Sequence, residues 1–256
     1  MKSFLRDTWH TFRRHMHASL REPVWIFFSM IQPLIWLVLY TQLFKDMTLM
    51  PGFPTDNYLQ FFAPGLIVML AVFSSPYSGF GLLGDINSGM LEKMLVTPVN
   101  RYALILGDVL SSTATLAMQA LAVFSLSFLM GARVATGLGG VILTITIVSL
   151  LGISLASLSN ALVIATKKEE PLVVVASLIT LPLMFLSSVM LPNDFAPEWI
   201  KTAMKFNPVN YAIEAVRPLF LSGYDLLALS IGLLILGILA LLALIIASVA
   251  FRKFAD

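Results

Sequence analysis

The chain has 256 residues, 58% of them hydrophobic and 12% charged, with a formal net charge of +2 and a mean hydropathy of +0.90; soluble domains carry about a quarter charged residues. An aqueous globule of this composition would keep large apolar patches, and basic residues gathered at the ends of hydrophobic runs speak against a nucleic-acid partner. The absence of cysteine excludes a disulfide framework and a thiolate metal site.

In chain order, Leu5, Trp9, Phe12, Met16 and Leu20 recur at helical spacing with Arg6, Arg13, Arg14 and Arg21 at other positions. This predicts an amphipathic helix over 1–22 lying on the inner membrane surface. His10, His15 and His17 fall within it and are expected on its solvated face. Residues 1–21 hold five Lys or Arg and no continuous apolar core, so they do not read as a cleavable signal.

Spans of about 20 uncharged, mostly apolar residues are predicted at roughly 24–44, 58–83, 109–130, 138–165, 171–191 and 226–250. Residues 84–104 make a loop between the second and third. Residues 192–223 separate the fifth from the sixth and include an apolar stretch, 211–221, too short to cross. Pro208 opens that stretch, Pro218 and Gly223 close it, and Glu214 and Arg217 are i,i+3 neighbours within it. A re-entrant helical segment fits, since irregular backbone at membrane depth survives only when protein or a hydrated cavity surrounds it.

With both termini in the cytoplasm, Lys2, Arg6, Arg13, Arg14, Arg21, Lys93, Arg101, Lys167, Lys168, Arg252 and Lys253 fall inside, whereas Lys45, Arg133, Lys201, Lys205 and Arg217 fall outside, 11 against 5. The fold expected is an all-α membrane protein, one domain over 1–256, with six transmembrane helices, an N-terminal amphipathic interfacial helix, a cytoplasmic helix in the 84–104 loop and an outer re-entrant segment.

An enzyme in the membrane needs acids, nucleophiles or metal ligands there, and the predicted spans hold almost none. HExxH is absent, and residues 79–86, GFGLLGDI, lack the Gly-Lys-Ser/Thr of a P-loop. Tyr224-Asp225 and Gly107-Asp108 stand at predicted helix ends, in the reverse of the order used by intramembrane aspartyl proteases. Neither inverted repeats nor ion-coupling carboxylates stand out. The expectation is a non-enzymatic chain without catalytic, cofactor or metal residues, whose energy comes from ATP on another polypeptide.

Residues 88–101, SGMLEKMLVTPVNR, resemble the Gly-Thr-Leu-Glu-x-Leu-x-x-Thr-Pro-x-x-Arg pattern of permeases of type-2 ATP-binding-cassette (ABC-2) exporters, which are similar to the eukaryotic G subfamily. Gly89, Leu91, Glu92, Leu95, Thr97, Pro98 and Arg101 match, with Lys93 beside Glu92; Ile86, Asn87 and Gly107-Asp108 depart from it. Residues 182–192, PLMFLSSVMLP, with Pro197-Glu-Trp199, Asn207-Pro208 and Arg217, resemble that family's fifth span and outer region.

The resemblance implies a short coupling helix docking into an ATPase subunit, with Met90, Met94 and Leu95 toward apolar material, Glu92 and Lys93 toward water, and Thr97-Pro98 ending it. It further implies two ATPase subunits carrying ATP and Mg, and a homodimer of the permease, or a pair with a related one, in the cell membrane. The second and fifth spans would line the path through Phe73, Tyr77, Met184 and Phe185, and Pro182 would kink the fifth. The cargo expected is a small amphipathic molecule, drug-like or lipid-like. Polysaccharide or teichoic-acid export is the alternative, and a membrane scaffold, ion-coupled carrier or membrane enzyme the different classes.

Overall fold

The computed structural model describes residues 2–21, 23–96, 100–190 and 192–255, in which every regular element is helical. The α-helices are α1 (Lys2–Arg21), α2 (Pro23–Leu43), α3 (Tyr58–Ser74), α4 (Gly79–Asn87), α5 (Met90–Leu95), α6 (Arg101–Leu129), α7 (Gly137–Thr166), α8 (Glu169–Phe185), α9 (Glu198–Met204), α10 (Pro208–Leu221) and α11 (Leu226–Ala255). Three 3-10 turns lie at Lys45–Leu49, Ser75–Tyr77 and Asn193–Phe195.

Helix starts are written in side chains. Asn57, Asn100 and Asn207 each turn an amide oxygen onto the N–H two residues ahead, at Leu59, Tyr102 and Val209, opening α3, α6 and α10. Pro208 follows Asn207 at the first helical position, where its missing N–H costs nothing. Asp225 Oδ1 accepts from the N–H groups of Leu227 and Ala228 at the start of α11.

Among the described residues, four helical stretches are long and apolar enough to cross a membrane: Tyr58–Asn87, Arg101–Leu129, Gly137–Thr166 and Leu226–Arg252. They correspond to the second, third, fourth and sixth predicted spans. The first predicted span is the 21-residue α2, apolar from Met30 to Leu43. The fifth is shorter than expected: α8 has 17 residues and ends at Phe185, six before the predicted boundary at Leu191, which lies outside the described residues. The third begins eight residues early, at Arg101.

The axis of the bundle is the stretch Tyr58–Asn87, 67% buried over its most apolar part against 28% for Leu226–Arg252, so α11 presents most of its surface outward. Phe61, Phe62, Ile67, Val68 and Ala71 of α3 are fully enclosed by α2, α6, α7, α8 and α10. Lipid tails are as apolar as leucine, so this close packing, rather than escape from water, holds such helices together. A second, smaller apolar cluster gathers Leu82, Leu91, Leu104, Ile164, Leu172 and Phe251. It marks the end of the bundle where α7 runs out to Lys167 and α11 to Arg252, here called the basic end.

The second predicted span is not one helix. It breaks at Ser75-Pro76-Tyr77 and resumes as α4. Ser159 of α7 repairs the break: its hydroxyl donates to the Pro76 carbonyl at 2.6 Å and accepts from the Gly79 N–H at 3.0 Å.

Candidate functional site

The matched loop begins with Gly89 at φ +67°, a left-handed conformation that glycine adopts without the Cβ penalty. This turn separates the six-residue α5 from α4. Leu91 is 2% exposed within the basic-end cluster, alongside residues of α4, α6, α8 and α11. Glu92 and Lys93 are exposed, as expected. The apolar contact differs from expectation: Leu91 is the anchor, Met94 is half-buried and Met90 is exposed. The phase of so short a helix follows from the Gly89 turn rather than from its own periodicity. Thr97 and Pro98 lie outside the described residues, as does the side chain of Leu95. Arg101, half-buried, is the first residue of α6.

Helix α1 is tied to both arms of this loop. On the near arm, Arg14 binds Asp85 of α4 with two N–H groups, Nη1 to Oδ1 at 3.1 Å and Nη2 to Oδ2. On the far arm, Asp7 Oδ2 accepts from the Asn100 N–H at 3.2 Å. Between them, Thr8 and Thr11 are buried against α6 at Gly107. A Cβ on Gly107 would lie 2.6 Å from Thr11 Cβ and 2.9 Å from the Thr8 carbonyl oxygen, so only glycine lets the two helices approach this closely.

His15 corrects the sequence-based expectation of a solvated histidine. Its side chain is 13% exposed, with Nδ1 3.2 Å from Asp108 Oδ1 and Nε2 3.4 Å from Asp85 Oδ2. Arg14 Nη2 stands 2.7 Å from Nε2; a tautomer with its proton on Nδ1 accepts from Arg14 and donates to Asp108. Asn160 of α7 donates Nδ2–H to Asp108 Oδ2 at 2.6 Å. One polar chain therefore joins α4, α1, α6 and α7. Asn160 Oδ1 and Arg14 Nε, both buried, have no hydrogen-bond partner among the described residues.

Asp108 had looked like a helix-end residue, yet it sits inside α6 and is 2% exposed. The available signal was that Thr8, Thr11 and His15 share one face of α1, next to the Leu5, Trp9 and Phe12 stripe. A stripe of small polar side chains about a quarter-turn from an apolar one fits a helix packed along one side and apolar along the next.

The residues expected along a path are placed separately. Phe73 meets Trp36 edge-on at 5.4 Å, and Tyr77 stacks on Phe80 at 6.1 Å, both rings partly exposed. Met184 is buried in the core, and Phe185, its neighbour on α8, is exposed. Two apolar surface grooves, of about 660 and 480 Å³, are lined by other residues.

Away from the basic end, Glu214 and Arg217 do not pair with each other as their spacing suggested. Glu214 Oε1 accepts from Asn193 and Asn210 amides, both at 2.8 Å. Arg217 donates to the carbonyls of Ser188 and Val189 and lies over the Phe61 ring, 3.9 Å from its centroid. Asn207 Nδ2 donates to the carbonyls of Leu183 and Leu186, and Asn210 Oδ1 accepts from the Ser188 N–H. Side chains from the α10 segment thus serve the backbone where α8 unwinds, three residues past Pro182.

The profile of the ABC-2 type transporter family matches residues 6–221. The chain is 28% identical over 218 residues to ycf38 of Cyanophora paradoxa, a transport permease by name, across 85% of this chain and 75% of that one. It is 27% identical over 206 residues to the daunorubicin resistance ABC transporter permease protein DrrB1 of Streptomyces coeruleorubidus, covering 80% and 72%. It is 23% identical over 232 residues to DrrC of Mycobacterium tuberculosis, a doxorubicin resistance ABC transporter permease by name, covering 91% and 83%.

Proposed function

This chain belongs to the ABC-2 type transporter family, and we propose from that premise that it is the membrane subunit of an ATP-driven exporter of small amphipathic molecules. It takes drug-like or lipid-like cargo from the cytoplasm or inner leaflet. ATP and Mg bind a separate cassette ATPase, and two such subunits serve two copies of this permease. The names of the daunorubicin and doxorubicin resistance relatives support that cargo class.

In this reading α2, the four long helices and α8 make six crossings, both termini are cytoplasmic, and α9 with α10 form the outer re-entrant cap. The observation that carries it is the basic-end junction: an exposed Glu92-Lys93 edge on a helix anchored by Leu91 and strapped by α1 on both arms. A push on α5 reaches α4, α6, α8 and α11 through Leu91, and α1 and α7 through Arg14, His15, Asp108 and Asn160.

The test is Glu92→Arg in the complex with its cassette ATPase. Copurification of the ATPase and cargo-stimulated ATP hydrolysis are expected to fall while the permease keeps its thermal stability. Unchanged hydrolysis and transport would refute the docking role of α5.

A further inference from the structure

Helix α1 has three faces, because successive residues step about 100° around a helix with 3.6 residues per turn. One, with Thr8, Thr11 and His15, packs on α6. The next carries Leu5, Trp9 and Phe12; Leu5 is 65% and Trp9 59% exposed. The third carries Arg6, His10, Arg13 and His17, all exposed.

The apolar face does not end at α1. Leu5, Trp9 and Phe12 form one wall of the groove of about 480 Å³ whose other wall includes Leu110, Ala114 and Ala117 of α6. Its volume lies within the range of small-ligand sites, about 300–1,000 Å³. Its polar members are Thr8, Thr113 and Ser149; the Thr8 and Thr113 hydroxyls are turned back to the Phe4 and Val109 carbonyls at 2.9 and 2.7 Å and offer an occupant little polarity. An unbranched hydrocarbon chain matches such a lining.

Charge on the adjoining face is of one sign. Asp7 accepts from the Asn100 N–H and has a 10% exposed side chain; Arg6 Nε lies 3.9 Å from Asp7 Oδ1, a long contact, and the Arg6 side chain is 72% exposed. Arg14 is engaged with Asp85. Arg6 and Arg13, exposed and two helical turns apart on the face that follows the Leu5, Trp9 and Phe12 stripe, can both reach one anion.

We infer that the groove between α1 and α6 holds one acyl chain of an anionic phospholipid of the inner leaflet, with its phosphate between Arg6 and Arg13. This rests on the proposed placement of α1 at the inner membrane surface. The lipid would then be a structural partner at the joint that α1 makes with α4 and α6. Basic pockets flanking spans take lipid head groups in the same way.

The test uses the full chain with Trp25, Trp36 and Trp199 changed to Phe, leaving Trp9 in the groove wall as the only tryptophan. It is reconstituted in phosphatidylcholine vesicles containing equal fractions of brominated phosphatidylglycerol or brominated phosphatidylcholine. Contact with a brominated chain quenches tryptophan fluorescence. The anionic lipid is expected to quench Trp9 at a several-fold lower fraction, with the preference falling roughly five-fold for each arginine removed in Arg6→Gln and Arg13→Gln. Ala114→Phe, which fills the groove and leaves both arginines, is expected to lower quenching by the anionic lipid.

Equal quenching by the two lipids, or a preference that survives the double arginine variant, would overturn the headgroup site. A preference untouched by Ala114→Phe would reduce it to surface attraction and overturn the groove. Quenching by neither lipid would instead overturn the membrane placement of α1, and with it the wider functional reading.

Discussion

Replacing Arg14 with Ala removes the α1 end of the bidentate contact to Asp85 and leaves that carboxylate, 17% exposed, with His15 at 3.4 Å as its side-chain partner among the described residues. Hydrogen bonds to a charged partner contribute about 1.5–3 kcal/mol, and losing one member of a buried pair costs about 3–5 kcal/mol. The Arg14 side chain is 31% exposed, so solvent screening brings the expected loss down to about 2 kcal/mol. For a chain of this size that corresponds to a fall in Tm of about 4–8 °C. The assay is thermal unfolding of the purified permease across Arg14→Ala, Asp85→Ala and the double variant. A coupling energy of about 1–2 kcal/mol is expected from the cycle. If the two single effects add to within about 0.5 kcal/mol, the two side chains act independently and α1 does not strap the near arm of the loop.

Leu91→Ala is expected to destabilise the permease by about 2–5 kcal/mol, measurable by the same thermal unfolding, whereas Glu92→Arg leaves it unchanged because that side chain is exposed. Gly107→Leu should lift α1 off α6, since even a Cβ would lie 2.6 Å from Thr11 Cβ; trypsin cleavage at Arg13 or Arg14 should become faster. Asn207→Ala removes the α10 cap and strands the carbonyls of Leu183 and Leu186. Its cost is expected near 2–3 kcal/mol, read in thermal unfolding, and a Tm equal to that of the unaltered chain would remove the capping role.

The long helices were legible because nothing interrupts them: α7 and α11 run through apolar sequence with no charge until Lys167 and Arg252, and their bounds fall within a few residues of expectation at most ends. The water-facing edge of α5 was legible too, since Glu92 and Lys93 had nowhere else to go. The phase of its apolar side was not, because six residues are too few to fix one. His15 was misplaced for a related reason. The Leu5, Trp9 and Phe12 stripe dominates any reading of α1, and the small polar residues beside it pass for solvent-facing until Gly107 is seen to admit them. Asp85, Asp108 and Asn160 stand far apart in sequence, and only the fold brings them to one histidine and one arginine. At the other end, Pro182 marked a weak place in α8, but the amide and guanidinium groups that tend its loose end come from residues 207–217.

That last arrangement has a consequence for anyone recombining these permeases. The closing turn of α8 borrows its hydrogen-bond donors from a distant stretch, so neither stretch is self-sufficient. A chimera that imports residues 192–223 from a relative while keeping residues 183–190 of this chain would mismatch lenders and borrowers, and would be expected to misfold unless both travel together.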